Sequence, residues 1–159
     1  RRHSFPTRRS SDLCEAAVKN KIPQVISVGA LDMVNFGPID TVPEKYKNRN
    51  LYKHNPSVTL MRTTAAENIA IAKKISEKLN EASTKTILML PLNGVSAIDA
   101  VGQPFYGPEE DKALFDTLEK DITNSNVKLL KLNNNINEQE FAETAAKNLI
   151  ELIRSDLKC

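Results

Sequence analysis

The residues best placed for chemistry stand where a short apolar run, 57–61, gives way to a helical pattern. Arg62 follows the run, and apolar residues then recur every three or four positions over 69–79, as on one face of a helix. Thr64 and Glu67 fit a capping box, in which each side chain satisfies a backbone amide at the start of that helix. A guanidinium beside a helix N-terminus can bind a carboxylate or a phosphate. In the structural alternative, Thr64 merely caps the helix and Arg62 pairs with a surface carboxylate.

Two further side chains could act as a catalytic base. Asp32 lies in the segment GALDMVNFG, which also contains Gly29 and Asn35, and it could bind a metal, orient a ligand hydroxyl or accept a proton. Its structural alternative is an Asx-turn. His54 could act as a general base or bind a phosphate near neutral pH. Alternatively, it is a hydrogen-bonded loop residue next to Asn55.

A long segment, 92–107, supplies another group of polar residues. Asn93 and Gly94 predict a tight turn that lets backbone amides approach a ligand. The segment lacks the lysine of a phosphate-binding P-loop, and Ser96 lacks the glycines of a nucleophile elbow. We expect Asp99 either to pair with Arg62 or to hold a loop amide.

The alternation of apolar runs and helical patterns predicts an α/β fold. We expect a three-layer α/β/α arrangement around a mainly parallel, Rossmann-like sheet, which is incomplete and has about four strands. Segments 29–56 and 92–107 are expected to be irregular loops. The predicted strands are 24–28, 57–61, 85–90 and 127–132.

The carboxyl ends of parallel strands meet at one edge of a sheet, and ligands bind there. The sequence therefore predicts a site at this edge, with an anionic group bound between Arg62 and the following two amides. The residues expected to line it are Gly29, Asp32, Asn35, Arg62, Thr63, Thr64, Asn93, Gly94 and Ser96.

The first 13 residues do not fit this pattern. The peptide HSFPTRRSSDL within them resembles a translated sequencing adapter. We therefore expect residues 1–13 to be non-native and disordered. The alternatives are a basic arm that binds nucleic acid and a targeting peptide.

Charge and composition exclude several function classes. The chain has 22 basic and 20 acidic residues, but Arg1, Arg2, Arg8 and Arg9 lie in the segment just excluded, and the rest has no basic excess. We therefore expect no nucleic-acid or membrane partner. Cys14 and Cys159 lie at opposite ends and suggest neither a disulfide framework nor a metal site. No apolar run reaches the ~18 residues of a membrane span, so a cytoplasmic protein is expected.

Four segments carry a family resemblance. They are PQVISVGALDMVNFGP, VPEKY, HNPSVTLMRTTAAEN and LPLNGVSAIDAVGQPFYGPEEDKALFDTL. These segments resemble the Tm-one-like ATP-binding proteins, also called uncharacterised protein family 0261, in unbroken order from about Glu15 to the end. The resemblance implies a protein of roughly twice this length with two α/β domains. Residues 14–159 would then be the C-terminal part of the second α/β domain, whose front half is missing. It also implies ATP binding and self-association.

Two function hypotheses from different classes follow. In the first, the chain is a fragment of an ATP-binding protein that contributes an edge for an anion or a nucleotide phosphate. In the second, it belongs to an enzyme that acts on a small carboxylate or phosphoester, with Asp32 or His54 as base and Arg62 holding the anion. In either case, strand 24–28 is expected to lack a neighbour, and its free edge favours homo-oligomers.

Overall fold

In the computed structural model, residues 15–156 are described, and they confirm the α/β class. The expectation for residues 1–13 lies outside this range. Two short 3₁₀ turns, Ile39–Thr41 and Glu44–Tyr46, interrupt the segment before the third strand. The helices and strands are α1 Glu15–Lys19, β1 Gln24–Ser27, β2 Met33–Phe36, β3 Leu51–Asn55, β4 Val58–Arg62, α2 Ala65–Leu79, β5 Thr86–Pro91, α3 Pro108–Asp121, β6 Val127–Leu132 and α4 Gln139–Asp156.

A three-stranded parallel sheet, with strand order β1-β5-β6, forms the centre of the domain. Every residue of β5 is buried, as its continuous apolar run predicts for a strand covered on both faces. Leu88 and Leu90 pack with α2 and α3 on one face. Ile87 and Met89 pack with Phe141 of α4 on the other. The predicted three-layer arrangement is therefore confirmed.

The predicted strand 57–61 exists as β4, but its predicted place in the parallel sheet was wrong. It is the central strand of a separate antiparallel sheet with the order β2-β4-β3. Its two neighbours come from segment 29–56, which was expected to be irregular. A β-hairpin joins β3 to β4, and Asn55 Oδ1 accepts a hydrogen bond from the Ser57 amide at 2.8 Å in its turn. On the other side, Met33 of β2 pairs with Arg62.

Thr63 fixes this antiparallel sheet to the end of β1. Its amide donates to the Asp32 carbonyl at 2.9 Å. Its hydroxyl donates to the Leu31 carbonyl at 2.8 Å. Because these residues follow β1 and Thr63 follows β4, the two bonds hold both strand ends at the start of α2. Tyr52 of β3 also packs edge-on against buried Phe105, with ring centroids 6.3 Å apart.

The last helix, α4, is amphipathic and incompletely covered. Phe141 and Leu152 pack on the sheet. Leu149, Ile150 and Ile153 are 36%, 47% and 45% exposed. Within residues 15–156, no helix has both the length and the apolar character needed to cross a membrane.

The predicted capping box at the start of α2 is confirmed. The Glu67 amide donates to Thr64 Oγ1 at 3.3 Å, and the Thr64 amide donates to Glu67 Oε2 at 2.8 Å. Arg49 also binds the Glu67 carboxylate, at 2.6 Å, and this ion pair lowers the pKa of Glu67 to about 2. The cap is thus linked to the segment that precedes β3.

Replacing Thr64 tests the contribution of this cap. We expect Thr64→Ala to lower the free energy of unfolding by about 1 kcal/mol, because an amide in the first turn loses its acceptor. Thr64→Ser keeps a hydroxyl and is the matched control, with a smaller loss. Urea denaturation of the 159-residue chain measures both, and equal stability of wild type and Thr64→Ala would contradict the role of the cap.

Candidate functional site

Arg62, at the end of β4, is buried and binds several internal acceptors. Its Nε donates to the Phe105 carbonyl at 2.9 Å, and its Nη2 donates to the Gly107 carbonyl at 3.2 Å. The same Nη2 lies 2.8 Å from Asp111 Oδ1 and 3.4 Å from Asp99 Oδ1. The guanidinium therefore joins β4 to segment 92–107 and to α3. Asp99 was expected either to pair with Arg62 or to hold a loop amide, and it does both. Its Oδ2 accepts a hydrogen bond from the Val95 amide at 2.9 Å.

The two amides expected to bind an anion beside Arg62 also have internal partners. The Thr63 amide donates to Asp32, and the Thr64 amide donates to Glu67 within the capping box. An anion at this point would have to displace these acceptors as well as the partners of Arg62. The geometry therefore gives Arg62 an internal role rather than that of an anion clamp.

Asp32 is fully buried behind the site. Its Oδ2 accepts a hydrogen bond from the Ser96 hydroxyl at 2.7 Å, whereas its Oδ1 has no hydrogen-bond partner. Burial raises the pKa of Asp32, and the negative charge of Asp99 adds to the rise, against the Ser96 hydrogen bond and the charge of Arg62. Asp32 thus connects the end of β1 to the turn after β5 and is shielded from a ligand.

Asp111, in the first turn of α3, is a buried acid that the sequence analysis did not single out. Burial raises its pKa to about 7, and the Asp99 carboxyl adds to the rise while Arg62 opposes it. Asp99 and Asp111 share one guanidinium nitrogen, which cannot neutralise both carboxylates. Asp111 therefore keeps its proton until the pH approaches neutrality.

A cleft of about 340 Å³ opens beyond the carboxyl ends of β5 and β6, where the sequence predicted a site. We call it the larger cleft. Apolar side chains, four carboxylates and two lysines share its wall. Lys131 pairs with Glu119 at 2.7 Å, and Lys112 pairs with Asp116. The larger cleft is lined by Leu92, Asn93, Gly94, Asp99, Val101, Tyr106, Pro108, Asp111, Lys112, Phe115, Asp116, Glu119 and Lys131.

Gly94 lies in the turn after β5, on one side of the larger cleft. Its φ of +123° is a conformation that favours glycine, and an added Cβ would lie 1.7 Å from the Asp99 carbonyl oxygen. The preceding Asn93 donates to the Asn133 carbonyl at 2.8 Å. The predicted tight turn is therefore present, and it is bonded to the loop that follows β6.

A smaller cleft, of about 250 Å³, lies on the other side of Tyr106. The N-terminal ends of α2 and α3 both contribute to it, and Arg49 adds a positive charge. Arg49 donates to the Arg62 carbonyl at 2.7 Å, and its side chain is 24% exposed. The smaller cleft is lined by Asn48, Arg49, Asn50, Arg62, Thr63, Thr64, Tyr106, Gly107 and Glu110.

The structure separates the residues that were predicted to form one site. Asn93 and Gly94 line the larger cleft, and Arg62, Thr63 and Thr64 line the smaller one. Asp32 and Ser96 are buried behind them, while Gly29 and Asn35 line neither cleft.

His54 lies far from this group. It is exposed near the β3–β4 turn, whereas Asn50, four residues earlier, accepts a hydrogen bond from the Arg62 amide at 2.9 Å. At ~3.3 Å per residue, His54 is about 13 Å further along the strand. The pairing of His54 as base with Arg62 as clamp is therefore not supported.

Sequence reasoning missed Asp111, and it noted Tyr106 as a residue of segment 92–107 without assigning it to the site. Asp111 occupies the same helical face as buried Leu114 and Leu118, and an acid on an apolar face was the available signal. Tyr106 carried no comparable signal, because its position between the clefts depends on the path of segment 92–107. Within residues 15–156, no group of three or more His, Cys, Asp or Glu side chains is arranged to hold a metal ion.

The C-terminal domain model of an uncharacterised protein family, UPF0261, matches residues 7–153, so the match begins inside the segment expected to be non-native. A UPF0261 protein of Clostridium tetani is 61% identical over 139 residues, which are 87% of this chain and 34% of that protein. The ToMV resistance protein Tm-1 of Solanum lycopersicum is 45% identical over 141 residues, 87% of this chain and 18% of that protein.

A UPF0261 protein of Rhizobium meliloti is 46% identical over 137 residues, 86% of this chain and 34% of that protein. The chain thus spans about a third of the length of these two bacterial relatives, and less than a fifth of the tomato protein. The similarity covers nearly all of the described fold.

Removing the Arg62 charge tests the internal network. We expect Arg62→Ala to lower the free energy of unfolding by about 3–5 kcal/mol, since it leaves two buried carboxyl groups without their cation. Arg154→Ala removes an exposed arginine on α4 and should change stability by less than ~0.5 kcal/mol. Thermal or urea unfolding of the two variants decides this, and equal stabilities would contradict the network.

A pH series tests the Asp111 proton. The native pKa, about 7, lies above the unfolded value near 3.8. The native state therefore binds more protons between these pH values, and this contribution to stability falls as pH rises towards 7, by up to ~1.4 kcal/mol per pH unit. Asp111→Asn should remove this part of the slope, whereas Asp116→Asn, an exposed change on the same helix, should keep it. Parallel slopes for wild type and Asp111→Asn would show that Asp111 titrates normally.

Proposed function

Since the chain belongs to the UPF0261 family, as part of its C-terminal domain, we propose that it contributes a ligand-binding edge to a longer protein. The ligand we propose is a nucleotide, or another small molecule that combines an apolar part with an anionic group. The observation that carries this proposal is the pair of clefts of different character that meet at Tyr106.

The larger cleft suits a nucleoside better than a phosphate. Its volume of about 340 Å³ lies in the range of small-molecule sites, and Leu92, Val101 and Tyr106 offer exposed apolar surface. Its carboxylates outnumber its lysines, so it disfavours an anion. Carboxylates do accept hydrogen bonds from sugar hydroxyls, as they do in many dinucleotide sites, and Asp116 and Glu119 present exposed carboxylates at this wall.

The smaller cleft suits the anionic part. Arg49 stands at its wall, although its charge is shared with Glu67, and the positive end of the α2 dipole lies beside Thr64. Asn48 and Asn50 add amide groups that can donate hydrogen bonds. Glu110 is the acidic side chain that opposes an anion there.

ATP is the nucleotide that the resemblance to Tm-one-like proteins implies, and the two clefts fit its two parts. In this proposal, the base and sugar occupy the larger cleft, the phosphates approach Arg49, and Tyr106 contacts the base. Self-association and the presence of a further N-terminal domain belong to the same proposal. The lengths of the relatives support the further domain.

An enzyme acting on a small carboxylate or phosphoester is the second candidate, and one observation favours it. Asp111 lines the larger cleft, and its pKa of about 7 suits proton transfer near neutral pH. In this candidate Asp111 takes the role of base that was first assigned to Asp32 or His54. The partner that would hold the anion is Lys112 or Lys131 rather than Arg62.

Calorimetric titration with ATP and with adenosine tests the proposed site. Tyr106→Ala should weaken the binding of both ligands by about 5- to 150-fold, because base–aromatic stacking is worth ~1–3 kcal/mol. Asn48→Glu places a negative charge in the smaller cleft and should weaken ATP but not adenosine. Ser83→Glu adds the same charge at the opposite end of the sheet and is the matched control.

The pattern across these variants decides between the candidates. Equal affinities of wild type, Tyr106→Ala and Asn48→Glu for ATP would place the nucleotide elsewhere and overturn the proposal. Wild-type protein that binds neither ligand, but converts a phosphoester with a pH profile that Asp111→Asn abolishes, would favour the enzyme.

A further inference from the structure

The outer side of β1 is a free sheet edge. β1 pairs with β5, and within residues 15–156 no strand pairs with its other side. The Gln24 amide donates to the Lys85 carbonyl at 3.3 Å, so it faces β5. Backbone groups alternate in direction along a strand, and the amides of Val25 and Ser27 therefore face outward. Such an edge is a template for pairing with another strand.

The winding of the sheet indicates where an additional strand would lie. The chain passes from β1 through α2 to β5, and from β5 through α3 to β6, with both helices on one face. The helix α1 precedes β1 on this same face, since Val18 packs with the cluster beneath α2 and Glu15 lies 3.5 Å from Lys78. Parallel crossovers have the same hand in ~98% of cases. A strand joined to β1 through α1 would therefore step in the same direction and lie beside the outer side of β1.

We propose that the outer edge of β1 pairs in parallel with a strand from sequence that precedes α1 in the full-length protein. β1 then becomes an interior strand of a larger sheet. The Clostridium tetani relative supplies the length that this needs, since the chain matches 34% of it and the matched family model is a C-terminal domain. This inference concerns the side of the sheet and does not depend on ligand binding at the strand ends.

A second uncovered surface supports the same occupant. The helix α4 packs on β1 and β5, and three of its apolar residues remain exposed: Leu149, Ile150 and Ile153. A sheet that extends beyond β1 needs a covering layer on this face as well. A helix from the same preceding sequence would bury these side chains, just as α2 and α3 are paired on the opposite face.

Hydrogen exchange on a chimera tests the proposal. Residues 15–156 replace the matching part of the Clostridium tetani protein, and exchange is compared with that of the 159-residue chain at several concentrations. The Val25 and Ser27 amides should exchange at least ~100-fold more slowly in the chimera, because hydrogen bonding to a neighbouring strand protects them. The Ile26 amide, which faces β5, is the internal control and should be protected in both proteins.

Each outcome decides the matter. Rapid exchange of Val25 and Ser27 in a chimera that protects Ile26 overturns the proposal, even if the shorter chain fails to fold. If the Val25 and Ser27 amides of the 159-residue chain exchange more slowly as its concentration rises, the edge pairs with a second copy. That result also overturns the proposal. As a separate measure, Ile150→Lys should lower the unfolding temperature of the chimera, whereas Ile39→Lys, at a similarly exposed position outside this surface, should not.

Discussion

The position of the antiparallel sheet depends on the buried Arg62 guanidinium. Removing such a charge from water costs several kcal/mol, so a guanidinium can be buried only where hydrogen-bond acceptors surround it. The Phe105 and Gly107 carbonyls and the carboxyl groups of Asp99 and Asp111 meet this requirement. They come from segment 92–107 and from α3, and these elements must therefore lie against the end of β4. The cleft walls follow from this arrangement, because the same segment carries Tyr106 between the two clefts.

The same network leaves an excess of acid beside the larger cleft. Asp32, Asp99 and Asp111 lie near one arginine, and two of these acids have raised pKa values because they are buried. The charge of the cleft wall consequently changes near neutral pH, when Asp111 loses its proton. A wall of this kind favours hydroxyl groups over phosphates, and for this reason the proposed site has the anionic part of the ligand on the other side of Tyr106.

Local signals in the sequence predicted several helices and strands. The features that they did not predict depend on pairing between residues far apart in the chain. The capping box of Thr64 and Glu67 and the apolar run of β5 each depend on neighbouring residues, and both are confirmed. Strands β2 and β3 are four and five residues long and become strands by pairing with β4, so their own composition says little. The role of Arg62 was open for the same reason: its partner Asp111 lies 49 positions further along the chain.

The two clefts and the free edge of β1 lie at different sides of the parallel sheet, so the roles proposed for them are separate. The larger cleft opens where β5 and β6 end, and the smaller cleft opens at the end of β4, so a ligand in either meets loops and the first turns of helices. The outer edge of β1 runs along the strand direction and presents backbone groups that no described strand pairs with. The strand proposed beside β1 would widen the sheet on the side opposite β6, away from the wall formed by Tyr106 and α3. The proposed strand pairing and the proposed ligand site therefore involve different atoms of this one sheet.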